Sequence, residues 1–218
     1  MKNSLNTLIS FLIVFFTISI CTRVSVAQNQ TTDLKIDNCS NADERILFFF
    51  PSKAPKSMGL GIGVFGSESY CNLRCRRDSY GLGIQLIGQG LLQSFMINSF
   101  EFEKFVLQPY SRETAKSSHN GLLISTFGTY TEYINGVSFS TWMSGGLEIN
   151  GLSVNCLWSI YQKTNGLVIA AVNHVNKVHG VQIGLFNKAK TLKGIQIGLW
   201  NVNDKRSLPL INWNFKRN

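Results

Sequence analysis

The sequence contains few charged residues and little proline. Only 15% of its 218 residues are charged and four are proline, while 44% are hydrophobic. A disordered chain needs high charge and low hydrophobicity, so this composition excludes one. A coiled coil would be rich in Ala, Glu, Lys and Leu, which makes a long-helix protein a poor fit as well. Because basic residues dominate no stretch, we expect no nucleic-acid partner.

The chain also lacks the usual patterns of catalytic and metal-binding residues. Its three histidines lie far from the closely spaced Cys71 and Cys75, so no second ligand pair completes a zinc site. Gly61-x-Gly63-x-x-Gly66 matches the dinucleotide-binding pattern, but no helical periodicity follows it. We therefore expect a non-enzymatic protein with no catalytic, cofactor-binding or metal site. A secreted hydrolase with an unrecognised site is the second alternative.

The first 27 residues have the pattern of a secretory signal peptide. Lys2 precedes an apolar run over residues 8–20, which is shorter than the ~20 residues needed to span a bilayer. Small residues at Ser25 and Ala27 then suit cleavage before residue 28. Lipidation of Cys21 stays open. The sequence thus predicts export to the periplasm, the outer surface or the medium.

Export would leave the chain basic. Removal of residues 1–27 takes away Lys2, Arg23 and no acidic residue, so the net charge falls from +9 to +7. A basic exported chain suits an anionic envelope glycan or another surface protein as partner, although solubility alone also accounts for the charge. Membrane association is left open.

The C-terminal part of the chain is a repeat. An Asn-Gly, His-Gly or Lys-Gly step recurs six times at intervals of 15, 15, 15, 14 and 14 residues. Self-similarity at a fixed short period is typical of repeat architectures. The repeated glycines are Gly121, Gly136, Gly151, Gly166, Gly180 and Gly194.

Residues one, three and five after each glycine are mostly apolar, and the fourth is small or polar. Such alternation is typical of a β-strand with one buried face, so the sequence predicts that the apolar columns face the core. In the last two complete units, further apolar positions follow at nine and twelve after the glycine, which implies a corner between two extended pieces. In the last two units the apolar columns contain Val181, Ile183, Leu185, Ile195, Ile197 and Leu199.

Two strands and two turns account for about 14 residues, which is one coil of a narrow β-solenoid with coils ~4.8 Å apart. The sequence therefore predicts an all-β, repetitive β-solenoid-like stack of 14–15 residue units. The alternative is an antiparallel β-meander or β-barrel, because Asn-Gly between alternating hydrophobic residues is also a hairpin signal. A barrel of this kind could lie in an outer membrane.

Two further features are candidate sites. Cys71 and Cys75 are close enough for a local disulfide, although the four cysteines after the signal peptide allow three connectivities. The sixth residue after the glycine is often aromatic, which predicts either a contact row for a glycan or a partner protein, or packing at a corner of the coil. This candidate row is Phe127, Trp142, Phe186 and Trp200.

The chain divides into four predicted regions. Residues 1–27 are the signal peptide, and residues 28–57 are a flexible leader with an entry strand. Residues 58–119 form an N-terminal β region with the cysteine loop and a candidate cap. Residues 120–218 form the six-unit repeat, ended by a C-terminal cap that contains Pro209, a residue suited to an edge strand.

The segments HGVQIGLFNKAKTLKGIQIGLWN and RSLPLINWNF resemble an uncharacterised family of bacterial surface-repeat-containing proteins, which are built from G-[VIL]-[QSN]-[IV]-[GSA]-x-x-N units. The resemblance implies secretion or surface display and brings no known catalytic residue. The predicted function is that of an exported, non-enzymatic β-repeat protein of the bacterial surface or envelope, as a structural or interaction module. An outer-membrane β-barrel protein is the first alternative.

Overall fold

The computed structural model describes residues 43–50, 52, 54–64, 76–88 and 117–215, and all regular structure in these ranges is β. Eleven strands belong to one sheet. In chain order they are β1 Glu44–Phe50, β2 Lys56–Gly63, β3 Arg77–Gln85, β4 Ser117–Ser125, β5 Gly128–Tyr130, β6 Tyr133–Ser140, β7 Met143–Asn155, β8 Trp158–Ile169, β9 Val172–Ile183, β10 Phe186–Val202 and β11 Ser207–Asn214.

Nine of these strands stack in parallel, in the order β1-β2-β3-β4-β6-β7-β8-β9-β10. Each strand is in register with the equivalent position of the next repeat, so that Gly151, Gly166, Gly180 and Gly194 lie in one column. The chain is therefore a parallel β-solenoid, as the repeat predicted. The described strands do not form the antiparallel meander or barrel that was the alternative. Only β11 runs antiparallel, at the end of the order beside β10.

The glycine column forms one corner of the solenoid. Its glycines have φ between +114° and +151°, a region that L side chains rarely adopt. A Cβ atom at Gly151 would lie 2.0 Å from the carbonyl oxygen of Gly136 in the preceding coil. Glycine is required here both by backbone conformation and by the close approach of neighbouring coils. In β1, the first described strand of the stack, Ile46 occupies this column at φ 77° and is exposed.

The corner separates two arcs of each coil. We define the first arc as the glycine and the five residues after it, and the second arc as the remainder of the unit. Val168 of the first arc and Val175 and Val178 of the second belong to one buried cluster. The two arcs therefore face each other across this cluster. The cluster consists of Leu123, Ile134, Ile149, Tyr161, Val168, Val175, Val178, Ala189 and Leu192.

In the last two complete units the second arc has the predicted buried positions, but the prediction for the first arc was wrong. Residues two and four after the glycine face the core, whereas residues one, three and five face outward. Gln182 and Gln196, which occupy the second position, are completely buried, while Leu185 and Leu199 at the fifth are 50% and 59% exposed. The apolar columns of the first arc thus form an outer surface.

Lack of space explains why small side chains occupy the inner side of the first arc. A Cβ atom at Gly83 would lie 2.8 Å from Cδ1 of Leu123 and 3.0 Å from Cε1 of His119. Leu123 occupies the same inner position in the next coil, and His119 lies just before the glycine corner of that coil, so the close-packed interior leaves no room for a side chain at Gly83. The inner positions of the first arc are mostly Gly, Ser, Ala and amide side chains. The larger exceptions are Leu123, Val168 and, in β1, Phe48 and Phe50.

Hydrogen-bonded ladders connect buried amides of successive coils. Nδ2 of Asn173 donates to Oδ1 of Asn187 at 2.7 Å, and Nδ2 of Asn187 donates to Oδ1 of Asn201 at 2.7 Å. Nε2 of Gln196 donates to Oε1 of Gln182 at 2.8 Å. Identical residues at one coil spacing reproduce the same bond in every coil, which is how amide ladders stabilise stacked parallel strands.

Several predicted regions lie outside the described residues. These are the signal peptide, residues 28–42 of the leader, the Cys71–Cys75 loop and the candidate cap at residues 89–116. The described strands β2 and β3 are in register with each other, with Gly59 opposite Gly81, and β3 is in register with β4. The stack therefore extends upstream of the six units recognised in the sequence.

The glycine corner predicts a strong difference between two Gly→Ala substitutions. Gly151→Ala combines a strained backbone with a Cβ placed 2.0 Å from a carbonyl oxygen, and we expect it to lower the free energy of unfolding by about 2–5 kcal/mol. Gly145→Ala is the control, because Gly145 has an ordinary φ and its nearest atom would be 3.0 Å away. Urea unfolding of both variants measures the difference, and equal losses would contradict the role of the corner.

A buried histidine predicts a pH dependence of stability. His119 is almost completely buried, with Nδ1 2.8 Å from Oγ of Ser79 and Nε2 3.2 Å from the carbonyl oxygen of Leu122. Burial lowers the pKa of His119 below its usual 6.5. The folded state therefore takes up this proton at lower pH than the unfolded state does, and stability falls as the pH drops below about 6.5.

The His119→Gln variant tests this linkage between pH 8 and pH 5.5. We expect the variant to be less stable at pH 8, since it loses part of the hydrogen bonding, but to show a flatter decline of unfolding free energy with falling pH. His179→Gln is the control, because His179 is exposed and should contribute less to the slope. An unchanged slope in His119→Gln would show that this histidine does not couple protonation to folding.

Candidate interaction surfaces

The outer side of the first arc is apolar along the whole stack. We call the outward side chains at positions one, three and five after the glycine corner the apolar face. The register joins its first column from Leu47 in β1 through Val137 to Ile195 in β10, with Trp213 of β11 beside Ile195. No charged residue stands in the described part of these three columns. The third-position column is Phe49, Ile62, Ile84, Ile124, Phe139, Val154, Ile169, Ile183, Ile197 and Ile211.

The apolar face extends along all ten rungs of the stack. Ten rungs at ~4.8 Å and a width of four residues at ~3.3 Å correspond to about 43 Å by 13 Å. Its shallow groove is lined in part by Cys156, Ile169, Ala171, Ile183 and Leu185. Contiguous exposed apolar patches above a few hundred Å² indicate an interaction site.

The candidate aromatic row does not form one column. Phe186 is in register with Val172, and Val172 is in register with Trp158. Trp158 is the seventh residue after its glycine, whereas Trp142 is the sixth. The cause is that the earlier units are one residue longer and carry the extra residue at this corner. Trp142 packs edge-on against Trp158, with ring centroids 6.4 Å apart. The predicted row contained only the sixth residue after each glycine, so it did not include Trp158, which is the seventh.

These aromatic side chains line the second corner of the coil rather than a separate strip. Phe127, Phe186 and Trp200 are exposed to between 38% and 53%, and Trp142 is half-buried. The corner adjoins the fifth-position column, since Leu185 and Phe186 are sequence neighbours. The aromatic residues therefore widen the apolar face on one side. The other candidate site, the Cys71–Cys75 pair, lies outside the described residues.

The outer side of the second arc is cationic in its C-terminal coils. Lys163 is in register with Lys177, and His179 is in register with Lys193 in the next coil. The four side chains thus form a compact block with spacings of about 4.8 Å along the stack and ~7 Å along the strand. We call Lys163, Lys177, His179 and Lys193 the cationic cluster. Lys188 and Lys190 are exposed on the same arc.

The electrostatics of His179 reflect this cluster. Partial burial lowers the pKa of His179, and the charges of Lys163, Lys193 and Lys177 lower it further, while Glu148 acts in the opposite direction. Glu148 is already paired with Lys163, whose Nζ lies 3.0 Å from its Oε1. Within the described part of the chain, Lys177 and Lys193 have no carboxylate partner. The cluster therefore keeps an unneutralised positive charge.

An asparagine ladder leads into the cationic cluster. Nδ2 of Asn135 donates to Oδ1 of Asn120 at 2.8 Å, Asn150 repeats this bond to Asn135 at 2.8 Å, and Asn165 repeats it to Asn150 at 2.5 Å. In the next coil the same column contains His179 instead of an asparagine. The amide ladder fixes the coil edge and positions the cationic side chains at its C-terminal end.

Two further kinds of site to consider beyond these surfaces are a metal centre and a membrane-spanning helix. Among the described residues, no three His, Cys, Asp or Glu side chains are grouped closely enough to hold a metal ion. Within those same ranges there is also no helix with the length and apolar character needed to cross a bilayer.

Comparison with other proteins finds no match to this chain among family models, among curated proteins or among solved structures. Any inference about its function therefore depends on its own sequence and fold. The resemblance to bacterial surface-repeat-containing proteins stays a prediction from the repeat motif.

Proposed function

We propose that this protein is an exported, non-enzymatic interaction module of the bacterial surface or envelope, which binds an anionic envelope glycan through its cationic cluster. The signal-peptide pattern and the repeat motif support export. The observation that carries the proposal is the convergence of Lys163, Lys177 and Lys193 around His179 with a single paired carboxylate.

The regular spacing of the solenoid suits a repeating polyanion. Lys163 and Lys177 are one coil spacing apart, about 4.8 Å, and Lys193 lies one coil and two residues beyond Lys177, so the three cations form a fixed grid. A stiff backbone holds this grid in place, so binding costs little ordering of the protein. Carboxylate or sulfate groups along a glycan could engage several cations together, and multivalent attachment raises overall affinity without a deep pocket.

Binding to immobilised heparin and to polygalacturonate tests the proposal. We expect retention at low salt and its loss as salt screens the interaction, since the Debye length falls from ~30 Å at 0.01 M to ~3 Å at 1 M. The double variant Lys177→Gln/Lys193→Gln should bind about 2- to 30-fold more weakly, because each exposed ion pair contributes ~0.2–1 kcal/mol.

Arg45→Gln/Lys56→Gln is the matched control, because it removes the same two positive charges from exposed residues in β1 and β2, far along the stack from the cluster. It should leave the affinity nearly unchanged. Equal losses in the control and in the Lys177→Gln/Lys193→Gln variant would mean that net charge, rather than the cluster, governs binding. Tighter binding to duplex DNA than to either glycan, or no retention even at low salt, would contradict the proposal.

A further inference from the structure

The two arcs of the solenoid present opposite chemistry to solvent. Val168 on the first arc and Val178 on the second pack into the same core, so their outward neighbours point to opposite flanks. One flank is the apolar face and the other includes the cationic cluster. Within the described residues, no other strand packs over the apolar face, since every strand belongs to the one stack.

The area of the apolar face is that of a protein–protein interface. Its flat extent of about 43 Å by 13 Å is roughly 560 Å² before the corner aromatics are added. A standard stable interface buries about 800 Å² of accessible surface on each partner. The aromatic corner with Trp158, Phe186 and Trp200, which are all exposed, brings the face close to this size.

The distribution of charge favours a second copy of this chain over a lipid surface. If the apolar face lay on an anionic bilayer, the cationic cluster on the opposite flank would point away from the headgroups and add nothing to binding. If two copies met through their apolar faces, both cationic clusters would point to solvent on the far sides of the pair. Like charges would then be separated by two solenoids.

The regular coil spacing makes this face self-complementary. Two sheets pack face to face about 10 Å apart, and side-chain rows that repeat every ~4.8 Å on one sheet can fit between equally spaced rows on the other. A two-fold axis places the same patch on both partners. We propose that two copies of this chain associate face to face through the apolar face and form a dimer with a cationic cluster on each outer side.

The proposal does not depend on glycan binding, because the two functions use opposite flanks. Sedimentation of the full chain after signal removal, over a range of concentrations, measures the association. The Ile169→Lys variant places a charge in the centre of the apolar face, where Ile169 is in register with Val154 and Ile183. We expect it to raise the dimer dissociation constant by at least about 100-fold, since each partner would bury an unpaired charge.

Asn176→Lys is the control, because it adds the same charge on the second arc, at the position that Lys190 occupies one unit later. It should dimerise like the parent chain. Circular dichroism of both variants establishes that the solenoid remains folded. Equal dissociation constants for the two variants would overturn the proposal.

The thiol of Cys156 gives a second readout, because this exposed cysteine lies in the fifth-position column of the apolar face. Its labelling by a maleimide, measured against a Cys156→Ser background, should slow as protein concentration rises. A monomer at all concentrations would overturn the proposal. In that case, flotation with phosphatidylcholine vesicles would indicate a lipid surface as the occupant, and constant protection of Cys156 would indicate cover by the chain itself.

Discussion

The close approach of neighbouring coils at the glycine corner is the constraint on which the rest of the structure depends. At this column a Cβ atom would lie within 2.4 Å of a carbonyl oxygen of the coil before it, from Gly59 to Gly194. Only glycine fits without a shift of the backbone, so each repeat has one position that must align with the corresponding position of the next. In-register stacking follows from this alignment, because a slip of one residue would place a side chain where none fits.

In-register stacking converts each column of the sequence into a stripe of uniform chemistry. Inside, amide columns form ladders such as Asn173–Asn187–Asn201, while other columns of the same arc supply aliphatic side chains such as Val178 and Leu192. Outside, the same rule produces an apolar face on one flank and a cationic cluster on the other. A substitution in one coil therefore perturbs a stripe that its neighbours share, and function can be distributed over many coils without a pocket.

The period of the repeat was sufficient to predict a solenoid, since 14–15 residues fit two short strands and two turns. The buried positions of the second arc, such as Val175 and Ala189, also followed from the apolar pattern. The pattern could not show which side of the first arc is buried, because strict alternation looks the same for either face. Hydrophobicity alone favoured the wrong side. The missing information was the space available inside the closed coil, which depends on how neighbouring coils stack.

The surfaces were harder to predict than the core for a related reason. The cationic cluster combines Lys163 with His179 and Lys193, which lie in three successive units and meet only through the register. The sequence prediction aligned the aromatic residues of this corner incorrectly, because the early units have one more residue at the corner than the late units. Counting residues from the glycine gives the correct register for the strand that follows it. The count does not show where in the coil a longer unit places its extra residue.

The most direct test of this account compares two neighbouring lysine substitutions by urea unfolding, at a concentration where the chain is monomeric. Gln182 is completely buried and hydrogen-bonded to Gln196, whereas Ile183 faces outward. The account predicts that Gln182→Lys lowers the free energy of unfolding by about 3–5 kcal/mol, since it buries an unpaired charge. Ile183→Lys should lower it by less than about 1 kcal/mol. The reverse order would show that the apolar column is the inner one and would contradict the account.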